Sequence, residues 1–293
     1  MLKALFVSSR PLSWINTAFP FAAAYYVTTG RIDVLFVVGT LYFLIPYNLA
    51  MYGINDVFDY ESDLRNPRKG GVEGALLDRS MHRPTLVAAL VTNVPFLIFL
   101  VIAGDSVLSW LVLAISVFAV IAYSAPKLRF KERPFVDSLT SSTHFVSPAV
   151  YGLVVAGAVF TPQLWLLLAA FFLWGIASHA FGAVQDVIAD REAGIASIAT
   201  VIGARATARL SVVVYVLAGI LLVFTSWPGP LAGILALPYA ISCGLYWNVT
   251  DETCEAANRG WKRFLWLNFV SGFLVTLLLI WFVVVDPMTG LGL

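Results

Sequence analysis

Long apolar runs, each about 20 residues and so able to cross a hydrocarbon core of ~30 Å, follow one another along this chain. Nine are read: approximately Leu12 to Thr29, Val34 to Ile54, Thr85 to Ala103, Val107 to Ser124, Ser138 to Phe160, Leu164 to Val184, Ala208 to Thr225, Leu231 to Trp247 and Phe264 to Val285. Their continuous apolar character lacks the period-two alternation of a membrane barrel strand, so helices are predicted. A weak repeat groups them. Asn55-Asp56-Val57 closes the second run and Gln185-Asp186-Val187 closes the sixth, four runs later. The expected fold is an all-α integral membrane protein, one polytopic domain over residues 1–293, with nine transmembrane helices in a single bundle of four, four and one.

Composition agrees with a membrane chain: 60% of residues are apolar and 12% charged, about half the charged share of a soluble domain. The net charge of +1 gives no bulk excess that would point to nucleic acid. Placement of charge is more informative. All but Arg31 of the 18 Lys and Arg residues lie before the first run, after an even-numbered one or, for Arg209, at the first turn of the seventh. The positive-inside rule then puts the N-terminus and those loops in the cytoplasm and the C-terminus on the outer side, as in a multi-pass protein of the cell membrane. Lys3 and Arg10 ahead of an apolar run resemble a signal peptide, but no small-residue cleavage site precedes Arg31, and a retained first helix is expected. Cys243 and Cys254 form no CxxC pair and are read as structural.

The outer connections are short and the inner ones long and polar, so chemistry is expected at the cytoplasmic mouth. There the second run ends in Asn55-Asp56-Val57-Phe58-Asp59-Tyr60-Glu61-Ser62-Asp63. At 3.6 residues per turn Asp56, Asp59 and Asp63 share a helical face, with Asn55 beside Asp59. The sixth run ends with Asp186 and Asp190, again on one face. These five aspartates are the catalytic candidates. Carboxylates facing one another across a cavity repel unless cations lie between them, and magnesium suits oxygen ligands that leave room for water and substrate phosphate. Asn55, Asp59, Asp63, Asp186 and Asp190 are the metal candidates. Solvated loop ends are the plainer reading, but acids at a membrane edge are functional by default.

The same face supplies cations for phosphate: Arg65, Arg68 and Lys69 after the first motif, and Tyr123, Lys127, Arg129 and Lys131 after the fourth run. Arg gives forked contacts to phosphate oxygens and Lys a point charge. For each basic residue the competing reading is topology signalling alone.

Together these residues resemble the UbiA superfamily of intramembrane prenyltransferases. Its NDxxDxxxD motif is met by Asn55, Asp56, Asp59 and Asp63, its DxxxD by Asp186 and Asp190, and its YSxPxxRxK by Tyr123, Ser124, Pro126, Arg129 and Lys131; Lys127 stands where many members have a second proline. Gly194, Thr200 and Gly203 also follow the second motif in the spacing often seen there. The resemblance covers essentially the whole chain and implies a bundle whose cavity opens to lipid, with magnesium-bound diphosphate at the cytoplasmic cap. Within the superfamily, Arg10-Pro11-Leu12-Ser13-Trp14, Asn48-Leu49-Ala50-Met51-Tyr52-Gly53 and the segment from Arg65 to Gly74 look like the lycopene elongases of fifty-carbon carotenoid synthesis.

The activity implied is magnesium-dependent transfer of a prenyl group from an allylic diphosphate, dimethylallyl diphosphate in the elongase reading, to a hydrophobic acceptor in membrane lipid. The carbocation must be kept from water in an apolar, aromatic-lined cavity. His144, His179 and Gly182 are the acceptor-cavity candidates, His179 lying two turns below Asp186 on its face; a histidine in a bundle is otherwise an interhelical hydrogen bonder. The acceptor remains open between a carotenoid and an aromatic quinone precursor, although the near absence of Lys and Arg from the runs, with only Arg209 at the very start of the seventh, favours an apolar one. Two readings from other classes fit less well. Phosphatidyl-alcohol transferases need a DGxxAR continuation that is absent, and a transporter would carry its acids at the midplane.

Overall fold

The computed structural model describes residues 1–64 and 76–285. Among them every regular element is helical and no strand occurs. Six segments are long and apolar enough to cross a membrane: Val34–Phe58, Arg79–Gly104, Val107–Ser124, Pro162–Val184, Ala204–Val223 and Asp251–Val284. The chain is a multi-pass membrane protein. By length and apolarity the count is six where nine are expected from the runs, and the other three show why. The first expected span contains the helix Ile15–Thr29, only 15 residues long. The fifth is the helix Val136–Val155, whose hydroxyl-rich stretch from Ser138 to Ser147 lowers its apolarity. The eighth is split into Gly229–Ile234 and Ala236–Gly244; Pro238 has no N–H to give the Ile234 carbonyl, so the helix breaks there.

The described chain separates into two compact units, residues 1–130 with 143–158, and residues 131–142 with 159–285.

The first unit is built round aromatic rings: Phe21, Tyr25, Tyr42, Phe43, Tyr47 and Tyr151 are buried together, with Phe43 5.3 Å from Phe21 and 5.2 Å from Tyr47 between centroids. Its second span is interrupted at Ile45, before Pro46, because Pro46 has no N–H to give the Tyr42 carbonyl and its ring crowds that turn. Carbonyls released by such a break must find partners, since a hydrocarbon core offers none. Asn48 provides them, its Nδ2 donating to the carbonyls of Phe43 at 2.8 Å and Leu44 at 3.1 Å and to Thr17 Oγ1 at 2.7 Å. Asn93 Nδ2 donates to the Pro46 carbonyl at 2.7 Å.

The second unit packs Phe181, Tyr215, Tyr239 and Phe264 at its centre. Lipid tails are as apolar as leucine, so helices associate through close packing and not through exclusion of water. Gly219 and Gly233 illustrate this. A Cβ on Gly219 would lie 2.9 Å from the Gly233 carbonyl oxygen, and one on Gly233 2.7 Å from that of Gly219.

Candidate active site

In the first unit the helix Pro46–Phe58 delivers Asn55 and Asp56, and Asp59 caps it. A four-residue helix, Tyr60–Asp63, follows. The expected single face of Asp56, Asp59 and Asp63 is therefore interrupted. Asp59 takes φ −101° and ψ −1°, the sparsely populated bridge region in which many active-site residues are found.

The two aspartates on either side of Phe58 meet different partners. Asp59, 3% exposed, accepts from Asn55 Nδ2 at 2.6 Å on Oδ2 and faces Arg129 Nη2 at 3.4 Å on Oδ1. Asn55 Nδ2 also donates to Ser124 Oγ at 3.0 Å. The expected adjacency of Asn55 and Asp59 is present, and the loop after the fourth span is brought to it. That loop carries three left-handed residues without being glycine, Lys127 (φ 72°), Arg129 (φ 41°) and Phe135 (φ 70°). Strain of this kind costs about 1–3 kcal/mol per residue and clusters at ligand clamps. Tyr123 sets its ring edge-on to His144, 5.3 Å between centroids, and His144 is buried. Lys127 is exposed and Lys131 half-buried.

Asp56, 1% exposed, is held by the N-terminal segment. Ser8 Oγ donates to Oδ2 at 2.8 Å and Arg10 Nη2 to Oδ1 at 3.0 Å, while the Arg10 guanidinium lies 4.3 Å over the Tyr52 ring. Arg10 itself has φ 49°. Neither Ser8 nor Arg10 is a site residue in the sequence reading; the one hint is the cation just before the first apolar run. Arg65, Arg68 and Lys69 lie outside the described residues, as does the Asp63 side chain.

In the second unit Asp186 has φ −96° and ψ −2° and separates the helix Pro162–Val184 from Val187–Ala193. Asp186 and Asp190 are half-buried, and Asp190 N–H donates to the Asp186 carbonyl at 2.8 Å. Gln185 is tied down by Asn258 Nδ2 on Oε1 at 2.5 Å. One turn further, Arg191 bridges Asp251 Oδ2 at 2.6 Å and the Thr200 carbonyl at 2.9 Å. Asp251 Oδ1 accepts from the Ala204 N–H at 2.7 Å, capping the next helix. This backbone bond, helped by Arg191, holds the Asp251 carboxyl below its ordinary value. Gly182 does not face open space: a Cβ there would lie 3.4 Å from Trp261 Cδ1. Cys243 and Cys254 are buried thiols outside any disulfide, and the Cys254 thiol donates to the Gln185 carbonyl at 3.8 Å.

For a metal, the donor chemistry fits. In the first unit Asp59 offers a carboxylate oxygen and Asn55 an amide oxygen, and in the second Asp186 and Asp190 offer two carboxylates; hard oxygen donors of this kind are what magnesium accepts alongside water and phosphate. Among the described residues no three His, Cys, Asp or Glu groups already cluster as a closed cage, and magnesium sites seldom use one.

Residues 17–270 match the model of the UbiA prenyltransferase family. The chain belongs to that family. It is 58% identical to a lycopene elongase/hydratase of Corynebacterium glutamicum, over 95% of this chain and 97% of the relative. It is 59% identical to a C(50) beta-cyclic carotenoids biosynthesis protein of a Dietzia species, over 97% of this chain and 66% of that longer relative. Among solved structures, a UbiA homologue from Archaeoglobus fulgidus bound to GPP and Mg2+ superimposes with a TM-score of 0.66 at 18% identity, covering 92% of this chain and 99% of that one. The same homologue bound to DMAPP and Mg2+ gives 0.67 at 18% identity, over 91% and 98%. The chain is thus a member of the UbiA prenyltransferase family with a UbiA fold, similar over nearly its whole length to lycopene elongase/hydratases.

Proposed function

We propose that this prenyltransferase moves the five-carbon group of dimethylallyl diphosphate onto lycopene, with magnesium, at the cytoplasmic mouth of a nine-span bundle whose N-terminus is cytoplasmic and C-terminus outside. The observation that carries the chemistry is the buried Asp59 carboxylate, set between Asn55 and Arg129 on a strained loop. The acceptor rests on the high identity to lycopene elongase/hydratases.

In this reading Asn55, Asp59, Asp63, Asp186 and Asp190 hold magnesium. The metal, when bound, supplies positive charge to the departing diphosphate. Tyr123, Lys127, Arg129 and Lys131, with Arg65, Arg68 and Lys69, orient that diphosphate and stabilise its growing charge. Asp56 keeps Arg10 and Ser8 in place. Its role is positioning, not ligation. No protein nucleophile is required: the allylic C–O bond breaks, its electron pair leaves with diphosphate, and the π pair of the acceptor's terminal alkene forms the new C–C bond. Aromatic side chains shield the cation from water.

The test supplies membranes containing the protein with labelled dimethylallyl diphosphate and, separately, lycopene, an aromatic quinone precursor or no acceptor, each with magnesium or with chelator. Label should enter the carotenoid in magnesium only. Label in the quinone precursor and none in lycopene would overturn the acceptor; undiminished transfer in chelator would overturn the metal role.

A further inference from the structure

Resting on the acceptor reading above, we propose that His179 is the base that resolves the cation left on the acceptor, and that Ser138 and Asp137 fix the tautomer that lets it do so. Asp137 belongs to neither carboxylate motif. It is fully buried, and its neighbour Ser138 is 1% exposed. Asp137 Oδ2 accepts from the Ile198 N–H at 2.8 Å, and Oδ1 accepts from the Ser138 N–H at 2.6 Å and from the Ser138 hydroxyl at 3.2 Å. Ser138 Oγ is in turn 3.1 Å from His179 Nδ1.

The direction of this chain follows from counting protons. A serine hydroxyl has one to give, and a carboxylate accepts it more strongly than a neutral ring nitrogen does. With that proton on Asp137, Ser138 Oγ can only accept from His179, so Nδ1 carries the hydrogen and Nε2 keeps its lone pair. Nε2 is therefore the basic atom. His179 keeps accessible surface while Asp137 and Ser138 are buried behind it. A buried carboxylate is expensive unless its charge is used; satisfied by three donors here, it also provides the counter-charge for an imidazolium.

The place of His179 matches the need. It lies in the helix Pro162–Val184, about 8 Å deeper along the axis than the end at Val184 that Asp186 follows. Once the new C–C bond has formed, the acceptor carries a tertiary cation. Either a neighbouring C–H pair becomes a C=C bond, or a water oxygen pair forms a C–O bond. In both cases one proton is released, Nε2 takes it, and the imidazolium later returns it to solvent. A single base placed beside the cation decides which outcome dominates.

The experiment compares wild type, His179→Gln and Asp137→Asn in membranes with labelled dimethylallyl diphosphate and lycopene, reading diphosphate release and the ratio of alcohol to alkene products per mole of inserted protein. Asp137→Asn preserves volume. Whichever way the amide turns, the substitution removes the negative charge behind Ser138, and with it the counter-charge for a His179 imidazolium. Both variants should still release diphosphate, while the product ratio shifts by about tenfold or more, a modest share of what a placed base contributes. If wild type labels lycopene but both variants keep its ratio, the assignment of His179 is overturned and the acceptor reading stands. Lower protein levels with an unchanged ratio assign a structural role and overturn it equally. If wild type leaves lycopene unlabelled, the acceptor reading falls and this proposal with it.

Discussion

Asp59 and Asp186 adopt almost the same backbone conformation, φ −101° and ψ −1° in one and φ −96° and ψ −2° in the other. Each ends a helix that enters from the membrane, and each is followed four residues later by a second aspartate, Asp63 or Asp190. The internal repeat is thus registered on Asp59 and Asp186, three residues beyond the match of Asn55-Asp56-Val57 to Gln185-Asp186-Val187. The backbone register pairs the acids differently from the sequence match. Asp59 and Asp186 correspond; Asp56 has no counterpart in the second half and is the one held by the N-terminal segment.

Replacing Asp59 or Asp190 by Ala should therefore reduce prenyl transfer by about 10²-fold or more, the scale on which even the groups around a metal ligand act, with insertion preserved. Radiolabel transfer at saturating magnesium, normalised to protein in the membrane, reads this. Near-normal turnover in either variant would falsify a metal role for that residue.

Arg10 and Asp56 should be coupled in stability. Asp56 is buried and Arg10 mostly so, and stripping the cation from a buried carboxylate is costlier than removing both. A double-mutant cycle with Arg10→Ala and Asp56→Ala, followed by thermal unfolding in detergent, should give a coupling of about 1 kcal/mol or more. Additive effects would mean that the pair does not anchor the N-terminal segment.

The family was legible in the sequence because its motifs set particular residue types at fixed spacings, and Asn55 and Asp59 do meet as that spacing expects. The partition of the acids was not. Nothing in the spacing of Asp56 and Asp59 tells that Ser8 and Arg10, 48 and 46 residues earlier, take the first while Arg129 takes the second. Span limits suffered differently: apolarity marks where a chain can lie in lipid, but Pro46 and Pro238 break helices inside apolar runs, and Ser138 to Ser147 reads as polar although half of that helix is buried. Asp137, beside the polar stretch, passed unnoticed because its partners, Ile198 and His179, are distant in sequence.

Substituting Gly219 by Val should loosen the second unit. Its backbone meets that of Gly233 so closely that any side chain must push the two helices apart, and overpacking of this kind costs about 1–3 kcal/mol. A fall in melting temperature, with the loss smaller for Ala than for Val, is the expected result; equal stability of all three would contradict the close approach.

Asp251 should lend a small acid-sensitive increment of stability. Its folded-state carboxyl titrates below the unfolded one because it caps Ala204 and pairs with Arg191. The increment is therefore complete above the unfolded value of about 3.9 and disappears as pH falls through the lower folded value. The pair is partly exposed, so screening limits the ion-pair contribution to less than about 1 kcal/mol. Unfolding measured from pH 6 downward (roughly the upper plateau expected for carboxylates) should show this acid loss in wild type and lack its Asp251 component in Asp251→Asn.

Gly182 offers the sharpest test of how an acceptor reaches the second motif. It lies one turn inside Asp186 and faces the Trp261 indole at ordinary contact distance, so Gly182→Ala should fold and turn over nearly normally, with any helix gain below about 1 kcal/mol. Gly182→Trp is different, since the new ring and Trp261 compete for one space and the variant can fail through misfolding alone. Combining it with Trp261→Ala restores the total volume while keeping the bulk on the Gly182 side. If a long hydrocarbon enters there with one end at the cation, the double variant should bind dimethylallyl diphosphate with an affinity within about threefold of wild type, under 1 kcal/mol. It should nonetheless lose the coupled carotenoid product and release the donor as an alcohol. Parallel loss of donor affinity and coupling would place Gly182 at the diphosphate, and wild-type coupling in the double variant would move the acceptor's path elsewhere.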